Sequence, residues 1–393
     1  MSINYLPTKI AGYVGFFIQA IVNNFLPILF IALQDVYKLN YEQLANLILF
    51  NFVTQIFVDS ITPKIAAKLG YRMTAFLSQF TAFVGLALLG LLPHIMPPYT
   101  ALIICIIIYA TGSGIIEVIL SPMIEMLPTR NKAKNMVLLH SFYCWGQAAT
   151  VLITTMLIYL LGFVNWMYVP LIWSIVPFVN MFGFLKVPIV EPNAEQKTVT
   201  LLELLKNKKF IVFMIVMLCG GASEIAMAEW ASLFVQNALG VSKVIGDISG
   251  PCAFAIFMGS GRILYAKFSR NLSFVKSLIV LSVLCFICYL TVAICHIPVI
   301  ALIGCALCGF TVSISWPGLY SEGAKNFKNG GAVMFGALAL CGDAGCTLGP
   351  WLVGIVADKA SLNLGMALAS IFPLIMVLCG IYILKNKDCK MVQ

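Results

Sequence analysis

The chain has 393 residues, of which 61% are hydrophobic and 10% are charged, and its formal net charge is +9. Soluble domains carry about 25% charged residues, so a chain this apolar has too few polar groups to cover its surface in water. The composition therefore excludes an ordinary soluble protein and predicts a polytopic membrane protein.

Twelve apolar segments are each long enough to cross about 30 Å of hydrocarbon as a helix. We number them as predicted spans 1 to 12, in chain order: residues 10–33, 41–63, 73–93, 99–126, 134–162, 165–187, 209–235, 244–268, 272–295, 298–320, 331–357 and 362–385. Spans 5 and 6 touch through the letters GFVN. The sequence thus predicts an all-α membrane protein with twelve transmembrane helices.

Lys and Arg residues gather in alternate loops between the predicted spans. Of the 24 basic residues, Lys38, Lys243 and Lys359 lie in the opposite loops and the other 21 lie on one side. Because cytoplasmic loops carry the excess of Lys and Arg, we expect both termini in the cytoplasm. The asymmetry also explains the net charge without nucleic acid, whose binding needs stacking aromatics in a soluble groove.

A polar loop of mixed charge lies midway along the chain, at residues 188–208. Within it, Thr200 and Glu203 form a capping-box pattern ahead of a short amphipathic segment that ends in lysines. We interpret this loop as a cytoplasmic linker that carries a short helix on the membrane surface.

The two halves of the chain share a weak internal repeat. Gly114 and Pro122 of span 4 are eight residues apart, as are Gly309 and Pro317 of span 10. Repeated halves with glycine- and proline-broken helices at matching positions are typical of transporters. We therefore predict three parts: an N-terminal six-helix bundle at 1–187, the linker at 188–208 and a C-terminal six-helix bundle at 209–393.

The letters CFIC at 285–288 and CALC at 305–308 resemble the ligand spacing of a zinc ribbon. Both pairs lie inside apolar spans, where no loop can fold around a metal and deprotonated thiolates are disfavoured. We interpret these cysteines as small apolar residues of membrane helices. The sequence predicts no metal site and no cofactor, and it contains no nucleophile elbow, phosphate loop or HExxH motif, so no enzyme is expected.

Three carboxylates fall well inside the predicted spans: Glu117 in span 4, Glu224 in span 7 and Asp343 in span 11. A carboxylate at the centre of a membrane helix costs about 2.5–3.5 kcal/mol, so such residues tend to face a bundle interior or a water-filled path. Span 4 has no basic residue ahead of Arg130. Glu117 therefore needs a cation from another helix or from the ligand, or it is protonated for part of the time. We predict that the three carboxylates couple transport to protons.

Neutral polar and aromatic side chains lie in the same spans and are candidates for substrate binding. Amides and hydroxyl acceptors suit a hydroxyl-rich ligand, and tryptophan rings can stack against its apolar face. The alternative for Asn23, Asn51 and Gln55 is that they only form hydrogen bonds between helices. The candidates are Gln19, Asn23, Asn24, Asn51, Gln55, His140, Tyr143, Trp145, Gln147, Trp230 and Trp316.

Charged residues near the predicted cytoplasmic ends of the spans are candidates for gating. Charges at helix ends are easily paired or hydrated, so we expect interface ion pairs there and no substrate contact. These residues are Asp59, Arg72, Glu125, Arg130 and Arg262. We place no Lys or Arg near mid-depth, and this absence counts against an anionic substrate.

The chain resembles the major facilitator superfamily and, within it, the fucose permease-like proton symporters. The letters GSGIIEVILSP at 112–122 are similar to that family's glycine-rich helix 4, with its Glu and Pro. The letters GFTVSISWPGLYSEGAKNF at 309–327 are similar to helix 10 and its exit loop, and VNNF in span 1 and GSGR in span 8 also fit. The resemblance implies two six-helix bundles, and it puts Glu117 where the family has a Glu needed for proton coupling.

The sequence departs from this family at several functional positions. Pro27 stands where the family has a second essential acid on helix 1, and Ala67 stands where the superfamily has an Asp in the loop after helix 2. His140 and Tyr143 stand where the fucose permease has polar amide side chains. The family's mechanism with two carboxylates therefore does not transfer as it is, and Glu224 and Asp343 are candidates for the function that helix 1 has lost.

Together these observations predict a secondary transporter with a central cavity, working by alternating access. The expected substrate is a small polar solute such as a sugar or polyol, moved with protons or, alternatively, with sodium. The expected setting is the lipid bilayer of the plasma (inner) membrane, as a multi-pass monomer. One alternative is a proton-coupled exporter of cationic or amphipathic compounds, and another is a membrane sensor or enzyme that transports nothing.

Overall fold

The computed structural model describes residues 4–385 except 40, 130, 192–198, 240–243, 245, 247, 269–271, 296 and 328. Every regular element among these residues is a helix. A chain inside hydrocarbon must satisfy its own backbone N–H and C=O groups, and a helix does this within a single segment. The predicted all-α fold is confirmed.

Fifteen α-helices are described, and several predicted spans are divided into two. In chain order they are α1 (Leu6–Ile28), α2 (Phe30–Tyr37), α3 (Tyr41–Leu89), α4 (Pro98–Glu125), α5 (Lys132–Leu161), α6 (Tyr168–Lys186), α7 (Leu201–Leu205), α8 (Lys208–Leu239), α9 (Ala253–Phe268), α10 (Phe274–Ile294), α11 (Pro298–Val312), α12 (Ser315–Asn326), α13 (Gly331–Lys359), α14 (Leu362–Ala369) and α15 (Ile371–Lys385).

Among the described residues, ten helical stretches are long and apolar enough to cross a membrane. One of them, Asn46–His94, covers most of predicted span 2 and all of predicted span 3. Gly70 inside it has φ 77° and ψ 165° and divides it into two helices. Predicted span 8 contains the 16-residue helix α9, with a π-helical turn, Ile248–Cys252, before it. All twelve predicted spans therefore contain a helix.

Helix boundaries follow the proline and glycine positions. Pro27 cannot donate a backbone hydrogen bond, and α1 ends at Ile28, whereas the predicted span continues to residue 33. Gly162, with φ 77°, ends α5, and the short 3-10 helix Phe163–Asn165 leads into α6. The division between spans 5 and 6 is thereby located at the letters GFVN.

The linker contains the predicted capping box. The Glu203 amide donates to Thr200 Oγ1 at 3.3 Å, and the Thr200 amide donates to Glu203 Oε2 at 2.9 Å. These two bonds begin the helix α7, so the short helix is confirmed.

Backbone contacts divide the chain into two compact units. Unit 1 contains residues 1–128 and 142–194, and unit 2 contains residues 129–141 and 195–393. The first turns of α5 thus belong to unit 2 and its remainder belongs to unit 1. The boundary at 194 falls inside the predicted linker, and the assignment of 1–187 and 209–393 to two six-helix bundles stays a prediction.

The predicted sidedness can be tested by labelling. If the charge asymmetry sets the orientation, a tag after Gln393 and a cysteine label in the 94–98 loop lie on opposite faces of the membrane. In sealed right-side-out vesicles, we expect an impermeant reagent to reach the 94–98 loop and not the C-terminal tag. Modification of both sites in sealed vesicles contradicts the twelve-helix topology.

Candidate functional site

In unit 1, the carboxamide oxygen of Asn23 on α1 is the centre of a polar cluster. It accepts hydrogen bonds from Gln55 Nε2 at 3.1 Å, from Ser113 Oγ at 3.2 Å and from Asn51 Nδ2 at 3.4 Å. Ser113 Oγ also lies 2.8 Å from Gln55 Oε1. Gln55 and Ser113 are fully buried. The cluster therefore joins α1, α3 and α4 through neutral side chains.

Glu117 lies beside this cluster, one helical turn further along α4. Its Oε2 accepts a hydrogen bond from Gln19 Nε2 at 2.5 Å, and its side chain is 3% exposed. Gln19 and Asn23 are four residues apart on α1, and Ser113 and Glu117 are four apart on α4, so each pair lies on one helix face. The two faces meet as a two-rung polar ladder, Asn23–Ser113 and Gln19–Glu117.

Glycines at the start of this stretch let α4 approach α3. A Cβ on Gly112 would lie 2.5 Å from the Ser78 carbonyl oxygen, and one on Gly114 would lie 3.1 Å from the Val58 side chain. Gly114 also faces Asp59, whose Oδ1 would be 3.2 Å from that Cβ. Small residues are the usual means by which membrane helices pack closely. The glycines of GSGIIE therefore bring the Glu117 face of α4 against its neighbours.

Asn24 and Tyr143 form a second contact of unit 1, on the other side of α1. Asn24 Nδ2 donates to the Ala20 carbonyl at 2.9 Å and to Tyr143 Oη at 3.3 Å. Two further candidates follow on the same stretch of α5: Trp145 is half-buried and Gln147 is 2% exposed. The predicted substrate residues of unit 1 thus lie on α1, α3 and α5.

In unit 2 the central side chain is Arg262, which is 2% exposed at the end of α9. Its Nη2 lies 3.6 Å from Glu224 Oε2 on α8. Its Nε donates to the Ser313 carbonyl at 2.9 Å, and its Nη1 donates to the His140 carbonyl. Glu224 is therefore accompanied by a cation, and the guanidinium and the carboxylate compensate each other's charge.

The break between α11 and α12 supplies one of these acceptors. Pro317 has no amide N–H, so it cannot bond the carbonyl of Ser313 four residues earlier, and its ring crowds that carbonyl. The helix is interrupted between Val312 and Ser315, and the Arg262 guanidinium takes the exposed Ser313 carbonyl. The SISWPG motif thus creates a backbone acceptor for a buried cation.

Four rings, from His140 on α5 and from residues of α12 and α13, lie in contact with one another. The His140 ring lies 5.4 Å from the Tyr320 ring, and Tyr320 lies 6.3 Å from Trp316 and 5.1 Å from Phe335. Trp316 covers Gly342 so closely that no Cβ fits there. Asp343, the next residue on α13, is 2% exposed.

Trp230 is the remaining predicted substrate residue of unit 2. Its indole Nε1 donates to the Pro350 carbonyl at 3.1 Å, and its ring faces Gly354 on α13. The indole N–H is therefore committed to the backbone, and the ring is left as the part of this side chain that can contact a solute.

Arg72 has a different partner from the one the sequence predicts. In place of an ion pair, its Nη1 donates to the carbonyls of Phe184, Leu185 and Val187 at 2.9–3.0 Å. These groups lie at the C-terminus of α6, where a helix has orphan carbonyls and its dipole favours a cation. Arg72 is thus a helix cap, and the gating ion pair expected of it is corrected.

A carboxylate after α6 completes this arrangement. The helix after the Gly70 kink begins with free amides, and Glu191 accepts from the amides of Tyr71 at 2.6 Å and Arg72 at 3.1 Å. A carboxylate at a helix N-terminus is stabilised by the amides and by the dipole. Arg72 and Glu191 therefore tie two helix ends of unit 1 together reciprocally.

This reciprocal cap predicts a stability effect. Replacing Arg72 by Ala removes charge-assisted hydrogen bonds at the end of α6, each worth about 1.5–3 kcal/mol, although the half-exposure of the site reduces the effect. We expect a lower melting temperature for Arg72→Ala in a thermal unfolding assay of purified protein. Lys64→Ala, at an exposed basic residue of α3 ahead of the Gly70 kink, is the matched control. Equal melting temperatures for the two variants would contradict the capping role.

The other gating candidates are placed as follows. Asp59 is fully buried and Glu125 is half-buried at the end of α4. Arg130 lies outside the described residues. The gating role of these three residues stays a prediction. Ser113 and Glu191 are absent from the predicted site. Ser113 could have been found from its four-residue spacing to Glu117, but no sequence signal pairs Glu191 with the Gly70 kink.

The comparisons with known proteins agree with this architecture. The family model described as Major Facilitator Superfamily matches residues 12–350. A search of curated protein sequences finds no match. Among solved structures, a variant of the E. coli fucose:proton symporter FucP has a TM-score of 0.76 at 16% identity, covering 96% of this chain and 98% of that chain.

Two further solved structures have similar scores. The proton:xylose symporter XylE, bound to 6-bromo-6-deoxy-D-glucose, has a TM-score of 0.79 at 13% identity, with 97% of this chain and 95% of that chain covered. The human organic anion transporter MFSD10 (TETRAN) has a TM-score of 0.76 at 13% identity, with 96% and 100% covered. At these identities the likeness shows the fold and leaves the solute open.

Proposed function

We propose that this chain, which belongs to the Major Facilitator Superfamily of membrane transporters, moves a small hydroxyl-rich solute together with protons. Membership of this family makes it a multi-pass membrane transporter and not an enzyme, consistent with a place in the plasma membrane. The expected solute is a sugar or polyol, and the expected mechanism is alternating access, in which a loaded carrier reorients across the bilayer.

The observation that carries this proposal is the polar ladder of unit 1. Glu117 is buried beside a neutral amide, Gln19, and one turn away from the Asn23 cluster. A carboxylate in such a place is stable when neutral, and it is expensive when charged unless a partner accompanies it. Protonation of Glu117 therefore removes the cost of a buried charge, and this change in energy can be coupled to a conformational step.

The neutral side chains around Glu117 favour hydroxyl groups as the ligand chemistry. Amides both donate and accept, so Asn23, Asn51 and Gln55 can exchange the bonds they now make with one another for bonds to a polyhydroxyl solute. The interhelical role considered for these three residues is also supported by their contacts. The two roles are compatible when the bonds are rearranged during transport.

The contacts of Glu224 weaken the alternative of a cation exporter. Of the three carboxylates expected to attract a cation, Glu224 already has the Arg262 guanidinium 3.6 Å away. A sugar or polyol is neutral, so its binding does not require an unpaired carboxylate. Two of the structural neighbours, FucP and XylE, are sugar:proton symporters, which supports the same class at the level of the fold.

A thermal-shift screen tests the solute class. We expect L-fucose, D-xylose, D-glucose or mannitol to raise the unfolding temperature of the purified protein, whereas choline, amino acids and nucleosides leave it unchanged. A ligand present at one hundred times its Kd stabilises the folded protein against unfolding by about 2.7 kcal/mol. Stabilisation by organic cations alone would overturn the sugar assignment and favour the exporter.

A further inference from the structure

A cavity of about 520 Å³ lies in unit 2, where the start of α5 and the end of α9 come together. It is lined by Asn131, Lys134, Leu138, Ile263, Ala266 and Lys267. This volume is in the range of pockets that hold small ligands. The lining combines two ammonium groups with three apolar side chains, so the cavity is amphipathic.

The two helix ends that line the cavity carry positive charge, and the carboxylate of Glu322 on α12, which is close to Tyr265, is paired with Lys325. The two helix ends come from the chain segments 126–140 and 259–277, and neither segment contains an Asp or a Glu. Lys134 and Lys267 are both exposed, and the Lys267 ammonium lies 5.7 Å from the centre of the neighbouring Phe268 ring. Lys134 also lies in the first turn of α5, where the helix dipole favours an anion. An anionic group is thus favoured over a neutral or cationic one.

The apolar side of the cavity continues onto surface that suits acyl chains. Ile263, Leu264 and Phe268 at the end of α9 are 42%, 51% and 47% exposed. Such residues beside lysines are typical of the membrane interface, where lysine stems lie along apolar surface and the charge stays in water. A soluble anion would leave this apolar surface uncovered, whereas a phospholipid covers it with its chains.

We propose that this cavity, formed by α5 and α9 and lined by Lys134 and Lys267, binds the phosphate headgroup of an anionic phospholipid. The predicted cytoplasmic side of this cavity agrees with the inner leaflet, where anionic lipids gather. The two lysines hold the phosphate, and Leu138 and Ile263 contact the upper acyl chain. Arg262 precedes Ile263 and bonds the His140 carbonyl, so the lipid binds beside the contact that joins α9 to α5.

Native mass spectrometry of the full-length protein in detergent tests this site. With phosphatidylglycerol as the probe, we expect one tightly retained lipid per chain, and weaker retention of phosphatidylcholine. Each lysine near a membrane surface contributes about fivefold to the binding of anionic lipid, so Lys134→Gln/Lys267→Gln is expected to weaken phosphatidylglycerol binding about thirtyfold. The control Lys64→Gln/Lys68→Gln changes two exposed lysines elsewhere and should bind as the parent does.

Two further arms make the result decisive. Lys134→Arg/Lys267→Arg keeps both charges and should retain the lipid, which separates loss of binding from loss of folding. Glycerol phosphate, which has the phosphate but no chains, should not displace phosphatidylglycerol at matched concentration. The proposal is overturned if glycerol phosphate competes equally, if phosphatidylcholine is retained equally, or if the double Gln variant and its control lose lipid to the same extent.

Discussion

Glu117→Gln is expected to abolish uphill, pH-driven solute uptake while leaving solute binding and exchange intact. The amide copies the neutral carboxyl in size and can still bond to Gln19, so the loaded carrier can reorient. It cannot release a proton, so the pH gradient and membrane potential no longer drive accumulation. At 100 mV each proton moved with a neutral solute supplies about 2.3 kcal/mol, which corresponds to roughly fiftyfold accumulation.

Reconstituted vesicles separate these two activities. Exchange of labelled for unlabelled solute across vesicles without a gradient measures reorientation, and accumulation under an imposed pH gradient measures coupling. Glu322→Gln, which alters a pair between the half-buried Glu322 and the exposed Lys325, is the carboxylate control and should accumulate solute normally. If Glu117→Gln accumulates solute as the parent does, the proton site lies elsewhere, and Glu224 and Asp343 become the next candidates.

Arg262→Met is expected to be the most destabilising single change in unit 2. It leaves the Glu224 carboxylate buried without its compensating charge, and it removes the donors to the Ser313 and His140 carbonyls. Breaking a buried ion pair on one side costs about 3–5 kcal/mol. We expect this loss in the free energy of unfolding, measured by thermal or denaturant unfolding in detergent.

The double variant Arg262→Met/Glu224→Gln separates charge from packing. Because the second change removes the uncompensated carboxylate, it should recover a large part of the lost stability, and the interaction energy of the cycle should exceed 1 kcal/mol. Lys325→Met removes the exposed ammonium paired with Glu322 and should cost less than about 1 kcal/mol. Equal losses for Arg262→Met and Lys325→Met would show that the buried pair contributes nothing.

The fold could be predicted from the sequence because the bilayer permits few structures. Apolar segments of about twenty residues must be helices there, and every predicted span contains one. Proline and glycine mark several breaks between helices, at GFVN and before Pro317, whereas the break after Pro27 falls inside predicted span 1. The Gly70 kink also falls in a predicted loop, although regular helix continues up to it on both sides.

The pairing of side chains could be predicted only where it is local. The turn-by-turn spacing from Ser113 to Glu117 and from Gln19 to Asn23 is visible in the sequence, but the meeting of the two rows depends on how α1 packs on α4. The position of Arg262 near a predicted span end makes it a gating candidate, but it does not indicate which groups it contacts. Two of its partners, Glu224 and the Ser313 carbonyl, are 38 and 51 residues away along the chain.

The contacts of Arg72 could not be predicted from the sequence either. A basic residue in a loop between membrane helices is consistent with an ion pair, with lipid or with water. Its role as a cap for α6 depends on the geometry of three carbonyls that carry no side-chain signal. Backbone acceptors are supplied by every residue, so no residue pattern identifies which of them are used.

The most direct test of proton-coupled solute transport is the movement of the protons themselves. A lightly buffered suspension of vesicles containing the parent protein receives the sugar or polyol that stabilises it best, and the external pH is recorded while labelled solute uptake is counted. The external medium should become alkaline in fixed proportion to the solute taken up, and Glu117→Gln should produce no such change. Solute uptake by the parent with no alkalinisation, under conditions where the membrane potential is clamped, would contradict proton coupling.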